Sequence, residues 1–582
     1  MGAVDRLLQY NTSLAIMTTN KQTTSTTRSD AIRDWLRRNR IFSRFWWRCH
    51  ARFPRLVPSL HSRRLSSYME RDIGDNEKTS IPLEEEMRVL CIWCTEVYGP
   101  SEIDALYTGL EKLDWHLDRF HGPQSGCIDW IKRQRQFGSE GTFNLGIISR
   151  RDETRYLAMN YFADLPNGVD YLIAEVHQLC PSLTCVQIAF VLDEAHQKLY
   201  TEELQIERST THEPIRDRFG SYRIMDPYHH KQRAIESRRC ELQTLSVQWF
   251  RKNLPGLFCS TPLDGYPPTA ELITTQRASI LEDSRHGGDS MKSWPRLMAN
   301  SFIHNAWRST EYSSLLFAPQ DSDSEDKSHI LISLRTSDLP VAAVEPFGGY
   351  QPSAYTSLIH ERVNGILISF AAISLLNAFR RVLIQTRDQL KVASPRKRRV
   401  LKSLDYIQNF FSASLQVPSI VGELAEKARN EHSYRWSCEG FIEAVAFRGE
   451  PPAKFDERIR AHTKHLATRL LNDDKTTRES FKQISEVVTA RESVKAQRRM
   501  EILTVVAIAV AALSLWIALP PVDKWRGGLR DLTNTIAGEP LATDSVPVPP
   551  VAPLIHKKAT PPKTPKPSLQ EGLRVKIQKV PE

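Results

Sequence analysis

The sequence predicts an α+β fold: a mainly antiparallel sheet domain followed by a helical region, one C-terminal transmembrane helix and a disordered tail. Three observations lead to this prediction. Strongly and weakly apolar residues alternate in segments such as 183–194, which is typical of strands. Helical patterns dominate residues 355–499, and the eighteen residues 502–519 contain no charged side chain. With 41% hydrophobic and 25% charged residues among 582, the composition is that of a globular protein and excludes a largely disordered chain.

Residues 1–86 are predicted to form an arginine-rich amphipathic arm followed by a polar linker, with the linker over residues 65–86. Eleven arginines and two aspartates lie between Arg28 and Arg64, so this stretch carries +9 of the chain's net charge of +10. The remaining chain is electrically balanced. The positive charge therefore belongs to one arm and does not indicate a basic surface on the folded body.

Wound as an α-helix, residues 30–53 separate into an apolar and a charged face. The candidate interfacial residues are Trp35, Phe42 and Trp46 on the apolar face and Arg33, Arg37, Arg40, Arg44 and Arg48 on the other. Aromatic rings opposite arginines are typical of a helix in the headgroup layer, so the expected partner is a bilayer with anionic headgroups. Three alternatives stay open: docking on the protein's own core, mitochondrial targeting, and nucleic-acid binding. The last is disfavoured because no folded aromatic and basic platform follows.

Residues 87–257 are predicted to form the α+β domain. The expected elements are a buried strand from Met87, a helix over 101–120, strands from Thr142 and Thr154, a hairpin of 169–179 with 183–194, and a helix over Tyr228–Leu254. The strand at 183–194 is expected to be half-buried because of its period of two.

Residues 258–350 are predicted to be a mixed strand and loop region, with strands at 306–319 and 329–339 joined by an acidic loop that lacks the EF-hand pattern. Residues 351–499 are predicted to be a helical region and stalk. Its expected helices cover 355–390, 397–415, 419–448 and 455–499. The apolar stretch Ile366–Phe379 is too short for a span and is interpreted as a buried helix.

The transmembrane helix is predicted over residues 500–521, with Ile502 and Leu519 at the ends of the apolar run. A helix of this length is about 27 Å long, close to the ~30 Å of a bilayer's hydrocarbon core. Pro520 and Pro521 would end it. Five flanking basic residues upstream against three downstream, with no signal peptide, predict a cytoplasmic N-terminal body. The expected location is a bacterial inner membrane crossed once, and the alternative is the mitochondrial inner membrane.

Residues 522–582 are predicted to be a disordered tail rich in proline and lysine. Apolar and charged residues alternate over 573–580, which would allow this segment to add a strand to the sheet edge of a partner protein. A frayed terminus is the equal alternative.

The sequence assigns no catalytic, cofactor-binding or metal-binding residue. Cys91 and Cys94 form a CxxC pair, but positions i and i+3 of a strand face opposite sides, so both are interpreted as core residues. Cys180 and Cys185 have no matching His or Cys pair for a tetrahedral metal site. The segment DPYHHKQR, residues 226–233, offers one Asp and one Lys, which is too little for a nuclease assignment.

The layout of an α/β domain followed by a long helix that enters the membrane resembles that of CorA-type magnesium channels. That family implies a second transmembrane helix and a Gly-Met-Asn loop after the first. Here Leu-Pro-Pro-Val-Asp, residues 519–523, follows instead. The resemblance therefore covers the layout and does not imply ion conduction.

Together these features support one leading hypothesis, a single-pass membrane protein whose large cytosolic body has a binding or scaffolding role. The first alternative is a membrane-tethered enzyme of unknown reaction. The second is nucleic-acid binding through the arginine-rich arm.

Overall fold

The computed structural model describes residues 62–116, 126–151, 161–214, 222–260, 266–283, 292–320, 328–393, 414–445 and 451–518. It also describes the single residues 35, 39, 42, 45, 46, 48, 49, 57, 408 and 411. The chain divides into two compact units, Met1–Ala490 and Arg491–Glu582. The predicted tail, most of the predicted helix at 397–415 and the acidic loop at 321–327 lie outside the described residues.

Helices and strands are intermixed along the first unit, and the last helix continues into the second. The helices are α1 Ser62–Thr79, α2 Ile103–Lys112, α3 Cys127–Phe137, α4 Glu194–Gln197, α5 Leu199–Gln205, α6 Pro227–Asn253, α7 Ile280–Asp283, α8 Trp294–Ala299, α9 Val341–Val344, α10 Pro352–Ala393, α11 Val417–Lys427, α12 Glu431–Cys438 and α13 Phe455–Ala518. The strands are β1 Met87–Tyr98, β2 Gly141–Ser149, β3 Tyr161–Phe162, β4 Val169–Cys180, β5 Leu183–Leu192, β6 Thr211–Pro214, β7 Tyr222–Met225, β8 Thr269–Thr275, β9 Trp307–Ser309, β10 Leu315–Pro319, β11 His329–Arg335 and β12 Phe441–Glu443.

Ten of the described strands form one sheet in the order β12-β9-β10-β11-β8-β1-β5-β4-β2-β3, and β6 pairs with β7 separately. The β8–β11 and β2–β3 pairings are parallel, and the other neighbours in this sheet are antiparallel. The α+β class is therefore supported, with a mixed sheet. Strands from the segments 87–257 and 258–350, which were predicted separately, lie side by side in it.

Helices cover both faces of the sheet, which gives three layers. Along β1, Cys91 and Trp93 face one apolar cluster while Ile92 and Cys94 face the other. Helix α10 packs on β1 and β5, and α6 packs on β1 as well. Because both faces are covered, every residue of β5 is buried. The prediction of a half-buried strand at 183–194 is therefore wrong, although its position is right.

Residues 65–86 are not simply a linker, because Ser62–Thr79 forms helix α1. Its polar side chains bind the chain that follows α5. The Asp72 carboxylate accepts hydrogen bonds from the backbone N–H of Thr210 at 2.8 Å and from its hydroxyl at 2.5 Å. The Asn76 side chain donates to Arg208 O at 2.7 Å. These partners are distant in sequence, so composition alone could not reveal this helix.

Several predicted boundaries need correction. The helix expected over 419–448 is the pair α11 and α12 followed by strand β12. Asn430 accepts from the His432 backbone N–H and begins α12, and Gly440, with φ of 87°, follows its end. The strand expected over 306–319 is two antiparallel strands, β9 and β10. The helix expected over 101–120 ends at Lys112, and the strand expected from Thr154 is described only as β3.

The long helix predicted at Tyr228–Leu254 is confirmed as α6. Asp226 accepts a hydrogen bond from the His229 backbone N–H at 3.0 Å, and Pro227 occupies the first turn, which is a favourable helix start. The apolar stretch Ile366–Phe379 is confirmed as part of a largely buried helix, since 72% of the most apolar window of α10 is buried.

Candidate functional site

The interfacial arm is described at only a few positions. Arg33, Arg37, Arg40 and Arg44 lie outside the described residues, whereas Trp35, Phe42, Trp46 and Arg48 are helical. The rings of Trp35 and Phe42 are 5.4 Å apart, and these residues are 55% and 49% exposed. Two aromatic side chains seven residues apart meet in this way when they share one helix face. The interfacial role itself stays a prediction.

Among the residues that the structure describes, two helices are long and apolar enough to cross a membrane, and they differ in burial. The apolar window of α10 is mostly buried, whereas that of α13 is 0% buried. In α13, Ile502 is 63% exposed and Trp516 is 74% exposed, and all residues from 500 to 518 are exposed. Leu519 lies outside the described residues. The exposed, uncharged surface over residues 502–518 is the first candidate functional region.

Cys91 and Cys94 lie in the apolar core, as the sequence indicated. Cys91 and Cys94 are fully buried on opposite faces of β1, and burial raises the pKa of both thiols well above its ordinary value. Cys180 and Cys185 are also buried, and burial raises the pKa of their thiols too. Such thiols are poor nucleophiles and poor metal ligands, so these residues act as small core side chains.

The polar side chains of Asp226 and Lys231, in the segment 226–233, also have structural roles. Asp226 caps α6 and also accepts a hydrogen bond from Lys292 Nζ at 2.7 Å. Lys231 is fully buried and donates to Leu204 O at 2.6 Å and to Ser80 Oγ at 3.0 Å. Burial lowers the pKa of Lys231 to about 8. Each of these side chains is used to join α6 to its neighbours.

A second candidate region is a polar cleft of about 1260 Å³. The ends of β2 and β4 form one wall, and helices α10 and α12 supply much of the rest. Its floor contains Thr142 and His177, which are cross-strand partners on β2 and β4. We refer to this region as the polar cleft.

Three buried titratable side chains meet beneath the polar cleft. Glu175, His177 and His360 are 5%, 7% and 4% exposed. His177 Nε2 lies 3.1 Å from Glu175 Oε2, and His360 Nε2 lies 3.3 Å from Glu175 Oε1. Neither contact is aligned as a linear hydrogen bond. Asn364 Nδ2 donates to Glu175 Oε2 at 3.0 Å, so the carboxylate is approached by three side chains.

Burial by itself raises the pKa of the Glu175 carboxyl, but the close approach of the two imidazole rings outweighs the effect of burial. The pKa therefore lies well below its ordinary value, and Glu175 is an anion at neutral pH.

Hydrogen bonding fixes the proton of His360. Trp93 Nε1 donates to His360 Nδ1 at 3.0 Å, and an indole N–H can only donate. Neutral His360 therefore carries its proton on Nε2, toward Glu175. A protonated Nε2 cannot bind a metal, and among the residues described here no group of His, Cys, Asp or Glu is arranged to hold one. The cluster is a network of polar contacts around a buried carboxylate.

On the hydroxyl side of the network, Thr142 Oγ1 lies 2.9 Å from His177 Nδ1. Thr142 is exposed and lines the cleft, so the network extends from solvent to a buried carboxylate. Sequence reasoning missed all of these residues. The available signal was the pair Glu175 and His177, two polar residues spaced by two in a largely apolar strand, which places them on one face.

A further cluster on the opposite face of the sheet is closed to solvent. Glu271 is fully buried, accepts a hydrogen bond from Arg239 Nε at 2.7 Å, and accepts another from Tyr200 Oη at 2.7 Å. His329 Nε2 lies 3.8 Å from the same carboxylate. This cluster joins α6, α5, β8 and β11, and its role is structural.

The chain matches no family model and no curated protein. One solved structure that it matches is the complete structure of the CorA magnesium transporter from Methanocaldococcus jannaschii. The two are 12% identical, and the match covers 46% of this chain and 80% of that chain with a TM-score of 0.17. A TM-score this low supports no conclusion about fold or function.

Proposed function

We propose that this chain is a single-pass membrane protein whose large body binds or scaffolds partners at the bilayer surface. The observation that carries the proposal is the exposed, uncharged surface of α13 over residues 502–518. Its eighteen-residue window has a mean hydropathy of 2.3 and is 0% buried. Large exposed apolar surfaces are costly in water, whereas lipid tails solvate them without cost.

The flanking charges support an orientation. Arg491, Lys495, Arg498 and Arg499 precede the apolar run directly. The proposed arrangement places them, and the body of the protein, on the cytoplasmic side of a bacterial inner membrane. The mitochondrial inner membrane, with the body in the matrix, is the alternative location.

The experiment is a comparison of two double variants in membrane fractionation with protease protection. Val506→Arg with Val510→Arg places two charges inside the apolar run and should shift the chain from the membrane pellet to the soluble or aggregated fraction. Val487→Arg with Val494→Arg, at exposed positions of the same helix, is the matched control and should stay in the membrane. Equal behaviour of the two would refute the span.

The N-terminal arm is proposed to bind anionic headgroups, and the tail to bind a protein partner. Neutralising Arg33, Arg37, Arg40, Arg44 and Arg48 to glutamine, in a chain that ends at residue 499, should weaken sedimentation with phosphatidylglycerol vesicles. Binding to phosphatidylcholine vesicles should change little. Unchanged binding to the anionic vesicles would remove the arm from the proposal.

A further inference from the structure

We propose that Thr142, His177 and Glu175 form a catalytic site for hydrolysis of uncharged carboxylic esters in the polar cleft. Thr142 would be the nucleophile and His177 the general base, with Glu175 as a positioning residue. This activity goes beyond membrane anchoring and does not depend on it. The proposal stands on the chain of contacts from an exposed hydroxyl through an imidazole to a buried carboxylate.

The contacts assign the proton of His177. Glu175 is an anion that only accepts hydrogen bonds, so the neutral imidazole places its N–H at Nε2, 3.1 Å from Glu175 Oε2. Nδ1 then holds the lone pair, and the Thr142 hydroxyl donates to it at 2.9 Å. A nucleophile within hydrogen-bond reach of a base, which a third group orients, is the arrangement that activates hydroxyls in acyl transfer. The imperfect alignment at Nε2 is common in sites without substrate.

Polar side chains from several elements fix the position of the Glu175 carboxylate. Asn364 donates to Glu175 at 3.0 Å, and His360, itself fixed by Trp93, contacts the other carboxylate oxygen at 3.3 Å. An apolar side chain would fill this position of β4 without the cost of burying a charge. The surrounding groups instead keep Glu175 ionised, and an ionised carboxylate stabilises the imidazolium that forms when His177 takes a proton.

The charges of the cleft select the substrate class. The lysine and arginine side chains that line the cleft are each paired with a carboxylate. The pairs are Lys427 with Glu140, Arg362 with Glu311, and Arg435 with Glu439. The cleft therefore offers little uncompensated positive charge to a phosphate or a free carboxylate. The side-chain amide of Asn430 lines the same space and can donate to a neutral carbonyl oxygen, whereas the Ser433 hydroxyl already donates to Glu140 Oε1 at 3.1 Å.

The reaction balances with water as its other reactant. Thr142 Oγ1 bonds to the ester carbonyl carbon while its proton passes to His177 Nδ1, and the carbonyl electron pair moves to oxygen. When this pair returns, the C–O bond to the alcohol breaks and the alcohol leaves with the proton of His177. Water then attacks the acyl-threonine in the same manner, which releases the acid and restores Thr142.

The test uses the purified full chain in detergent and p-nitrophenyl butyrate as the probe ester. Thr142→Ala and His177→Gln should each lower turnover about 100-fold or more, and Thr142→Ser should retain it. Thr108→Ala, at an exposed threonine of α2 outside the cleft, should behave as the unsubstituted chain. Turnover that is absent, or equal in the Thr142→Ala variant and the unsubstituted chain, would overturn the proposal.

Two measurements separate catalysis from a purely structural network. A fluorophosphonate should label the unsubstituted chain at Thr142, as located by peptide mass spectrometry, so this readout does not depend on a variant that folds. Glu175→Gln should lower kcat more than it changes KM, because the imidazolium that forms during the reaction loses its anionic partner. Labelling that leaves Thr142 unmodified would contradict the nucleophile assignment.

Discussion

Replacing Glu271 by glutamine should destabilise the first unit by about 3–5 kcal/mol, because it removes the anion that balances a buried guanidinium. Glu271 is fully buried, and Arg239 Nη2 lies 2.6 Å from its Oε1. Glutamine keeps the shape but leaves the Arg239 charge uncompensated. Burial raises the pKa of Glu271, but Arg239 and His329 together outweigh the effect of burial, and the pKa is lowered to about 2. The stabilisation is therefore present above the ordinary pKa of 4.5 and is lost as pH falls toward 2.

The assay is urea unfolding of the full chain in detergent at neutral pH, followed by tryptophan fluorescence. Glu84→Gln is the matched control, because its pair with Arg277 at 3.1 Å is mostly exposed and should contribute less than about 1 kcal/mol. The double variant Arg239→Met with Glu271→Met should recover much of the loss, since no unpaired charge then remains buried. Two results would refute the reasoning. One is a loss of unfolding free energy below about 1 kcal/mol for Glu271→Gln. The other is a double variant whose loss equals the sum of the losses of its two single variants.

Two other predictions concern packing and pH. A Cβ at Gly365 would lie 2.1 Å from Ser437 O, so Gly365→Ala should push α10 and α12 apart and cost about 1–3 kcal/mol in urea unfolding. Gly422→Ala, where nothing lies within 4 Å, should be neutral or stabilising, and equal effects of the two would contradict the close approach. Glu96 is fully buried, and burial raises its pKa from 4.5 to about 7. The folded state therefore holds the proton more tightly than the unfolded state does. The full stabilisation is present below pH 4.5, and about 3 kcal/mol of unfolding free energy is lost as pH rises to 7. Glu96→Gln should flatten the pH dependence of the unfolding free energy in that window, and an unchanged slope would disprove this assignment.

The sequence was sufficient where one local signal decided the structure. The long helix α6 has its cap at Asp226 and a proline in its first turn, and the strands β4 and β5 carry strong apolar patterns around a short turn. The length of Ile366–Phe379 likewise separated a buried helix from a span. These features depend on neighbours within a few residues.

Features that depend on distant partners were missed or misread. Helix α1 is fixed by Asp72 and Thr210, which are 138 residues apart. Strand β8 lies between β1 and β11, and its parallel pairing with β11 has no local signature. The cluster under the polar cleft joins Glu175 to His360 and Trp93 from three separate elements, and only the fold brings them together.

The most direct test of the central claim is whether the chain resists extraction from membranes at alkaline pH. Cells that express the full chain are lysed, and the membrane fraction is washed with carbonate and then with detergent. A bilayer-spanning α13 requires that the chain stay in the pellet through carbonate and dissolve only with detergent. A chain that remains freely dissolved after high-speed centrifugation without detergent would contradict the claim.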